Sequence, residues 1–527
     1  MSYGRGIVMR WLVICLVAGC GRLGFDGPIN ARSEPDGGGG AGDDATPSLV
    51  IGQQAYVKAS NTNAGDAFGV AVALSADGST MAIGALGEAS PTTGVGGDQT
   101  SNAVPLAGAV YVFTRSGATW SQQAYIKASN TNGYDKFGSS AALSSDGSLL
   151  AVGAPGEASG ARGINGNQGD NSARDAGAVY VFARSGAVWT QTAYLKASNT
   201  DAGDQFGGAL ALDGDGTTLA VGAMAESSKA TGIDGDQTDN SATGSGAVYV
   251  FERAGSAWSQ QAYIKASNAG GLDGFGSAIA LSDDGTALVI GAPGEASSAT
   301  GVDGNQTDNS FQGAGAVYLF SRAGASWTQH AYIKASNTSS LDGFGGSVAL
   351  SGDGAMLAIG ATHEQSTSTG IDGDQLNNDA MDAGAVYVFS RSTGWAQLAY
   401  VKASNTNAGD QFGDGLALNG DGTWLIVGAR GESSSAKGVN GDQTNNATFC
   451  AGAAYRFARP ISGWMQVDYL KASNPRDFAE LGAEVALSRD GSTIAIAAPR
   501  EPSQASGING NQTDSSAPTA GAVYMFR

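Results

Sequence analysis

From residue 49 to the C-terminus, apolar positions fall in short runs broken by Gly, Asp and Asn, and no stretch holds a helical period. Runs of that kind, bounded by turn residues, predict β-strands. Residues 137–203 show the order. A first strand at 137–144 turns at Asp146–Gly147, and a second at 149–153 ends in Ala154, Pro155, Gly156 and Glu157. Residues 158–176 form a long polar loop. A third strand at 178–182 turns at Ser185–Gly186, and a fourth spans 189–198. Ala178, Tyr180 and Phe182 alternate with Val179 and Val181, so both faces of the third strand are apolar and both are expected to be covered.

The same order returns seven times. Tyr56, Tyr125, Tyr194, Tyr263, Tyr332, Tyr400 and Tyr469 each open a Tyr-x-Lys-Ala-Ser-Asn segment, spaced 69 residues apart except for one step of 68. Seven units of four short antiparallel strands predict an all-β, seven-bladed β-propeller, in which radial packing covers both sheet faces and leaves only short edges. The last unit stops after its third strand, at Arg527, while the repeated region opens on a lone fourth strand at 49–60. These two ends are expected to pair and close the ring. Trp120, Trp189, Trp258, Trp327, Trp395 and Trp464, each five residues before a repeated tyrosine, read as blade packing; Ile51 takes that place in the first copy.

Phe68–Gly69, Phe137–Gly138, Phe206–Gly207, Phe275–Gly276, Phe344–Gly345 and Phe412–Gly413 are each followed by Gly-Ala and then by Gly-Ala-Val-Tyr-Val-Phe or a near copy. This set resembles FG-GAP repeats, the family that builds the seven-bladed propeller of integrin alpha subunits and of many bacterial surface proteins. The likeness covers 49–527, with Leu481–Gly482 in place of Phe-Gly in the seventh unit. Calcium-binding members of that family carry an Asp-x-Asp-x-Asp-Gly-type loop between the first two strands. Here only short turns such as Asp146–Gly147 stand there, too few oxygens for Ca²⁺. Asp77, Asp146, Asp215, Asp284, Asp353, Asp421 and Asp490 therefore read as turn formers.

Ahead of the repeats, Arg5 and Arg10 precede an apolar run at 11–19, the order of a secretory signal. The run ends in Val17, Ala18, Gly19 and Cys20, which resembles a bacterial lipobox. The resemblance implies removal of 1–19 and lipidation of Cys20. Residues 20–48, with four successive glycines at 37–40, read as a flexible tether. The expected location is the cell envelope, by a lipid anchor, with Gly21 after the cysteine favouring the outer membrane or cell surface. Cys450 remains alone in the body, so no intramolecular disulfide is expected.

A net charge of −20 argues against a nucleic-acid partner, whose phosphates need a basic footprint. Neither His330 nor His363 has a second ligand at metal spacing, and the carboxylate pairs all look like repeated features. A catalytic group normally breaks the symmetry of its scaffold, so no enzyme activity and no cofactor is expected. Two acidic sets recur. Asp66, Asp135, Asp204, Asp273, Asp342 and Asp410 precede Phe-Gly, and Glu88, Glu157, Glu226, Glu295, Glu364, Glu432 and Glu501 end the second strands. Both sets read first as caps of loop backbone groups; a weak cation site, with the six aspartates as its candidate ligands, is the second reading, and a polyol or glycan contact the third. The loops after strands two and four should emerge on one face, and that face, with Glu157, Asn167, Asp236, Asn240, Asn305, Asn309, Asp374 and Asp442, is the expected contact surface of a monomeric body. The expected partner is an envelope or extracellular polymer, glycan or protein; a passive spacer role is the alternative, and a propeller hydrolase or lyase the more remote one.

Overall fold

The computed structural model describes residues 51–527; the leader, Cys20 and the tether lie outside the described residues. The described chain forms twenty-eight strands in seven four-stranded antiparallel sheets. In the first blade the strands are Phe68–Leu74, Thr80–Ala85, Ala109–Ser116 and Thr119–Ile126, hydrogen-bonded in chain order. The next five blades repeat this plan. The seventh joins Glu484–Leu487, Ile494–Ala498 and Ala522–Phe526 to the N-terminal strand Gln53–Val57. There Tyr56 lies opposite Tyr524 and Val57 opposite Val523, so ordinary strand pairing closes the ring at the expected place. The seventh blade forms although Leu481 replaces phenylalanine, because leucine fills the same site with no exposure.

The core is divided among the junctions between blades. Val110, Val112 and Ile126 of the first blade pack on Phe137, Val152, Tyr180 and Phe182 of the second, and equivalent layers recur around the ring. Phe137 meets Tyr180 and Phe182 edge-on, with centroids 5.4 and 6.1 Å apart, a favoured aromatic geometry. The tryptophans at 120, 189, 258, 327 and 464 are buried as blade packing requires, and Trp395 is half-buried. Arg115, Arg184 and Arg322 stack over the Trp rings beside them.

In five of the seven blades the first strand is shorter than its sequence pattern. In the second blade it is Ser140–Leu143, because Phe137 leaves its own sheet to bridge Gly108 of the preceding blade in parallel. That contact explains the glycines of the repeat. A Cβ on Gly177 would lie 2.1 Å from the Phe206 carbonyl oxygen, and one on Gly153 would lie 2.0 Å from that of Gly207. The backbones of neighbouring blades therefore approach as closely as only glycine permits. On the opposite face, the first turns join in a circle of backbone hydrogen bonds. Ala76 donates to Ser145, Ser145 to Gly214, Gly214 to Asp283 and Asp283 to Gly352; Asp353 donates to Gly420, Gly420 to Arg489 and Arg489 back to Ala76.

Gly153 tests the close approach without confusion from backbone strain, since its φ is not positive. Gly153→Ala should lower unfolding stability by about 1–3 kcal/mol or more. Gly52→Ala, with nothing within 4 Å of the added carbon, should be near neutral. Equal effects of the two substitutions in a denaturant titration would contradict the close-approach account.

Candidate binding face

Strands two and four of each blade end on one face, and polar groups meet there. Lys196, just past the fourth strand of the second blade, places Nζ 2.9 Å from Glu157 Oε2, just past the second strand. Both side chains are fully buried. Glu157 Oε1 accepts a hydrogen bond from Asn130 Nδ2 at 3.1 Å, and Oε2 accepts one from the Ser159 N–H. Asn130 belongs to the chain entering from the first blade, and its Oδ1 accepts from the Tyr180 hydroxyl. The Tyr-x-Lys-Ala-Ser-Asn segment thus grips two blades. Lys196 holds the glutamate of its own blade, and Asn199 holds Glu226 of the next at 3.0 Å. The arrangement recurs without a gap, from Lys127–Glu88 to Lys471–Glu432, and closes through Lys58–Glu501 and Asn61–Glu88. Burial draws the Lys196 ammonium below its ordinary range, while the charge of Glu157 pulls it back up.

Above this ring the long loops lie folded onto the blades. In the second blade Ile164 bridges Leu195 of the outer strand, Asn165 Oδ1 accepts the Tyr194 N–H, and Ser159 Oγ donates to the Asn167 carbonyl. The loop therefore covers the end of an edge strand that would otherwise stand open. All seven blades repeat this bridge.

Of the expected contact residues, Asn167, Asp236, Asn240, Asn305, Asn309, Asp374 and Asp442 are exposed on this face. Glu157 is the exception and a correction: it is fully buried and bonded to three groups, so it cannot touch a partner. Several exposed residues also shape their own loops. Asp236 Oδ1 accepts both the N–H and the hydroxyl of Thr238, and Asn167 Oδ1 accepts the Gly169 N–H. Such side-chain turns hold a loop in one conformation.

The profile described as FG-GAP repeat matches residues 51–113, 120–182, 189–251, 258–320, 327–389 and 395–455. These stretches make up more than half of the sequence. The chain belongs to the FG-GAP repeat family. Each matched stretch takes the outer strand of one blade and three strands of the next, so the FG-GAP unit is offset by one strand from the blade. The first three strands of the last blade lie beyond the matched stretches. Among solved structures, Kuenenia stuttgartiensis hydrazine synthase is similar at a TM-score of 0.45, with 13% identity, over 83% of this chain and 93% of that one. A likeness at that level carries no argument about function. No curated protein matches the chain.

Within the FG-GAP pattern the six aspartates before Phe-Gly are separate, one to a junction. Asp135 Oδ2 accepts the Asn132 N–H at 2.8 Å, and Asp66, Asp204, Asp273, Asp342 and Asp410 cap the equivalent N–H groups. Among the described residues, no three His, Cys, Asp or Glu side chains are grouped to hold a metal ion. As cation ligands these aspartates are not assembled, because the fold spreads them around the disc and turns each towards its own loop. Burial pushes each carboxyl up to about 7. In the opposite turns partial burial alone would raise Asp146, but the Ser144 hydroxyl and the Ser148 N–H hold its carboxyl below the usual range.

One feature escapes the repeat and corrects the expectation that every carboxylate pair is a repeated one. At the inner ends of blades five to seven, His363, Arg430 and Arg500 replace the glycine or apolar residues of other copies. His363 Nδ1 is 2.8 Å from Asp382 Oδ1, Arg430 Nε donates to Gln411 and lies 3.4 Å from Asp414, and Arg500 binds Glu480. Crowding by protein raises the half-buried Asp414 carboxyl to about 6 despite Arg430, and crowding with the charge of Asp414 acts in the same direction on Glu484, whose side chain remains exposed. Asp414 and Glu484 stand where other copies carry small or apolar residues, so a column-by-column comparison of the seven units would have found them.

The six raised aspartates give a pH dependence of definite sign. Each binds its proton more tightly in the folded than in the unfolded chain, whose carboxyl titrates near 3.8, so stability falls as pH rises from about 4 to about 7. The thermal midpoint should be higher at pH 5 than at pH 8. Replacing two of the six, by Asp135→Asn and Asp204→Asn, should shrink that difference. A midpoint that rises across this interval would contradict the burial of ionisable aspartates.

Proposed function

We propose that the protein is a lipid-anchored, non-catalytic binding protein of the bacterial cell surface, and that its long-loop face makes the contact. The observation that carries the reading is the direction of the N-terminal strand. Gln53–Val57 runs from the turn face, where Gly52 and Arg527 exchange backbone hydrogen bonds, towards Lys58 and its partner Glu501 on the long-loop face. The described chain therefore enters the body on the turn side, opposite the long loops. Long loops on a rigid scaffold are where recognition usually resides. Seven equivalent loops also suit a repetitive partner through multivalency.

A spacer role is the second reading, favoured by the way every long loop is pinned to its outer strand. Capture assays separate the two. Full-length protein on beads is offered isolated envelope fractions and purified polysaccharides. The triple variant Asn171→Arg, Asn240→Arg and Asn309→Arg alters the long-loop face; Ala118→Arg, Ala187→Arg and Ser256→Arg, all exposed, alter the turn face. Capture should be lost in the first set and kept in the second. The opposite pattern would overturn the assignment, and no capture by the unchanged protein would favour the spacer.

A further inference from the structure

Where each fourth strand passes into the next blade, two residues, two positions apart, sit in the left-handed region. At the first of these positions three junctions place glycine: Gly65, Gly203 and Gly409, with φ of 85°, 93° and 84°. The other four place Tyr134, Leu272, Leu341 and Phe478, with φ of 70°, 69°, 68° and 60°. A bulky L-residue is strained in this region and glycine is not. Burial does not offset the strain, since Leu272 is 72% exposed, Leu341 68% and Phe478 43%. Nothing in the folding of the disc requires these side chains. Strain held at exposed positions points to a functional demand.

Their distribution is uneven. The N–H at each position donates to a carbonyl of the preceding long loop: Leu272 to Thr243, Leu341 to Gln312, Gly409 to Met381 and Phe478 to Phe449. Where the junction residue is Gly409, its partner Met381 is 67% exposed; Phe449 is exposed too and packs against Phe478 with ring centroids 5.2 Å apart. Four successive junctions, from blade three to blade seven, thus present Leu272, Leu341, Met381 and the Phe449–Phe478 pair. The junctions flanking this arc carry Arg174 with Gly203 and Pro518 with Gly65. Leu376, at the tip of the fifth long loop, adds a further exposed side chain on the same arc. Exposed apolar groups gathered on one face mark an interaction surface.

Resting on the binding role proposed above, we propose that this arc docks a protein partner through a basic segment bearing apolar anchors. Charge decides among occupants. Exposed aspartates surround the arc, among them Asp236, Asp303, Asp374, Asp379, Asp442 and Asp477, against few exposed cations such as Lys229 and Lys437. A second copy of this chain would bring like charges together across the contact, and an anionic lipid surface would be repelled. A glycan would use the rings of the Phe449–Phe478 pair but not Leu272, Leu341 and Met381, which lack a stacking face.

The test uses full-length protein and three synthetic peptides of equal length, rich in Lys and Leu, in Lys and Ser, or in Glu and Leu. Only the Lys/Leu peptide should bind well. The combined variant Leu272→Gly, Leu341→Gly and Phe478→Gly installs the residue found at three of the other junctions, leaves every charge in place, and should lower that affinity about tenfold or more. Its thermal midpoint should hold or rise, because the left-handed strain is relieved. The exposed turn-face residue Val188 provides the control, and Val188→Gly should not change binding. Unchanged binding by the glycine variant, or equal binding of the two lysine peptides, would overturn the proposal. So would a concentration-dependent dimer that the glycine variant abolishes. If the glycine variant still captures the envelope component while the Asn→Arg set does not, this proposal fails and the binding role stands. If neither set affects capture, both fail.

Discussion

A lysine removed from water must find a carboxylate, and here seven lysines do so at the same height around one disc. The buried Lys–Glu contact is the constraint on which the long-loop face depends. Taking both ions out of water costs several kcal/mol each in general, and their attraction repays this only with good geometry and further hydrogen bonds. Asn130 and the Ser159 N–H supply those bonds to Glu157, so its acceptors are engaged. Because the asparagine is three residues past the lysine of the preceding blade, each segment binds two glutamates in succession. The chain between them completes a polar ring around the propeller. The opposite face is held differently, by the circle of backbone bonds through Ala76, Ser145 and Gly214. Between the two rings lie the glycine contacts and the junction cores.

Much of this was legible in the sequence, for a physical reason. A propeller blade cannot bury its faces alone, so its hydrophobic pattern must repeat with the blade, and a strict period exposes blade number, strand order and the site of closure. The alternation of Tyr180 and Val181 already required cover on both sides. The pairing of Lys196 with Glu157 was not legible, because it joins residues 39 apart whose spacing carries no helical or strand signature. Glu157 was misplaced for the same reason: a carboxylate at the end of a strand looks like a surface residue until its lysine is found. The left-handed junctions were also hidden. Glycine at Gly203 announces positive φ, but Leu272 at the equivalent place reads as an ordinary apolar residue. Only the backbone shows that it occupies a conformation made for glycine.

Two levels of organisation are therefore superposed. The sevenfold network of Lys, Glu, Asn and Tyr makes a stiff platform and tolerates little variation, since each Lys–Asn segment joins two blades. Variation appears where it does not disturb that network, at junction residues, loop tips and inner strand ends. The apolar arc from Leu272 to Phe478 and the charged group around Asp414, Arg430 and Glu484 both fall in the later blades. The platform is symmetric and its decoration is not. That combination fits a rigid support with one preferred half-face, and it explains how nearly identical repeats can carry a directional surface.

The network claim is tested most directly by a double-mutant cycle on Lys196 and Glu157, read by equilibrium unfolding of the full-length chain. Lys196→Met leaves a buried carboxylate without its cation, and Glu157→Gln leaves a buried ammonium without its anion. Each should cost about 3–5 kcal/mol, while the double variant should cost clearly less than the two together. A coupling of about 2 kcal/mol or more is the expected result for groups in one buried network. Additive losses, or single losses within about 0.5 kcal/mol of zero, would show that the pair does not hold the blades and would contradict the account.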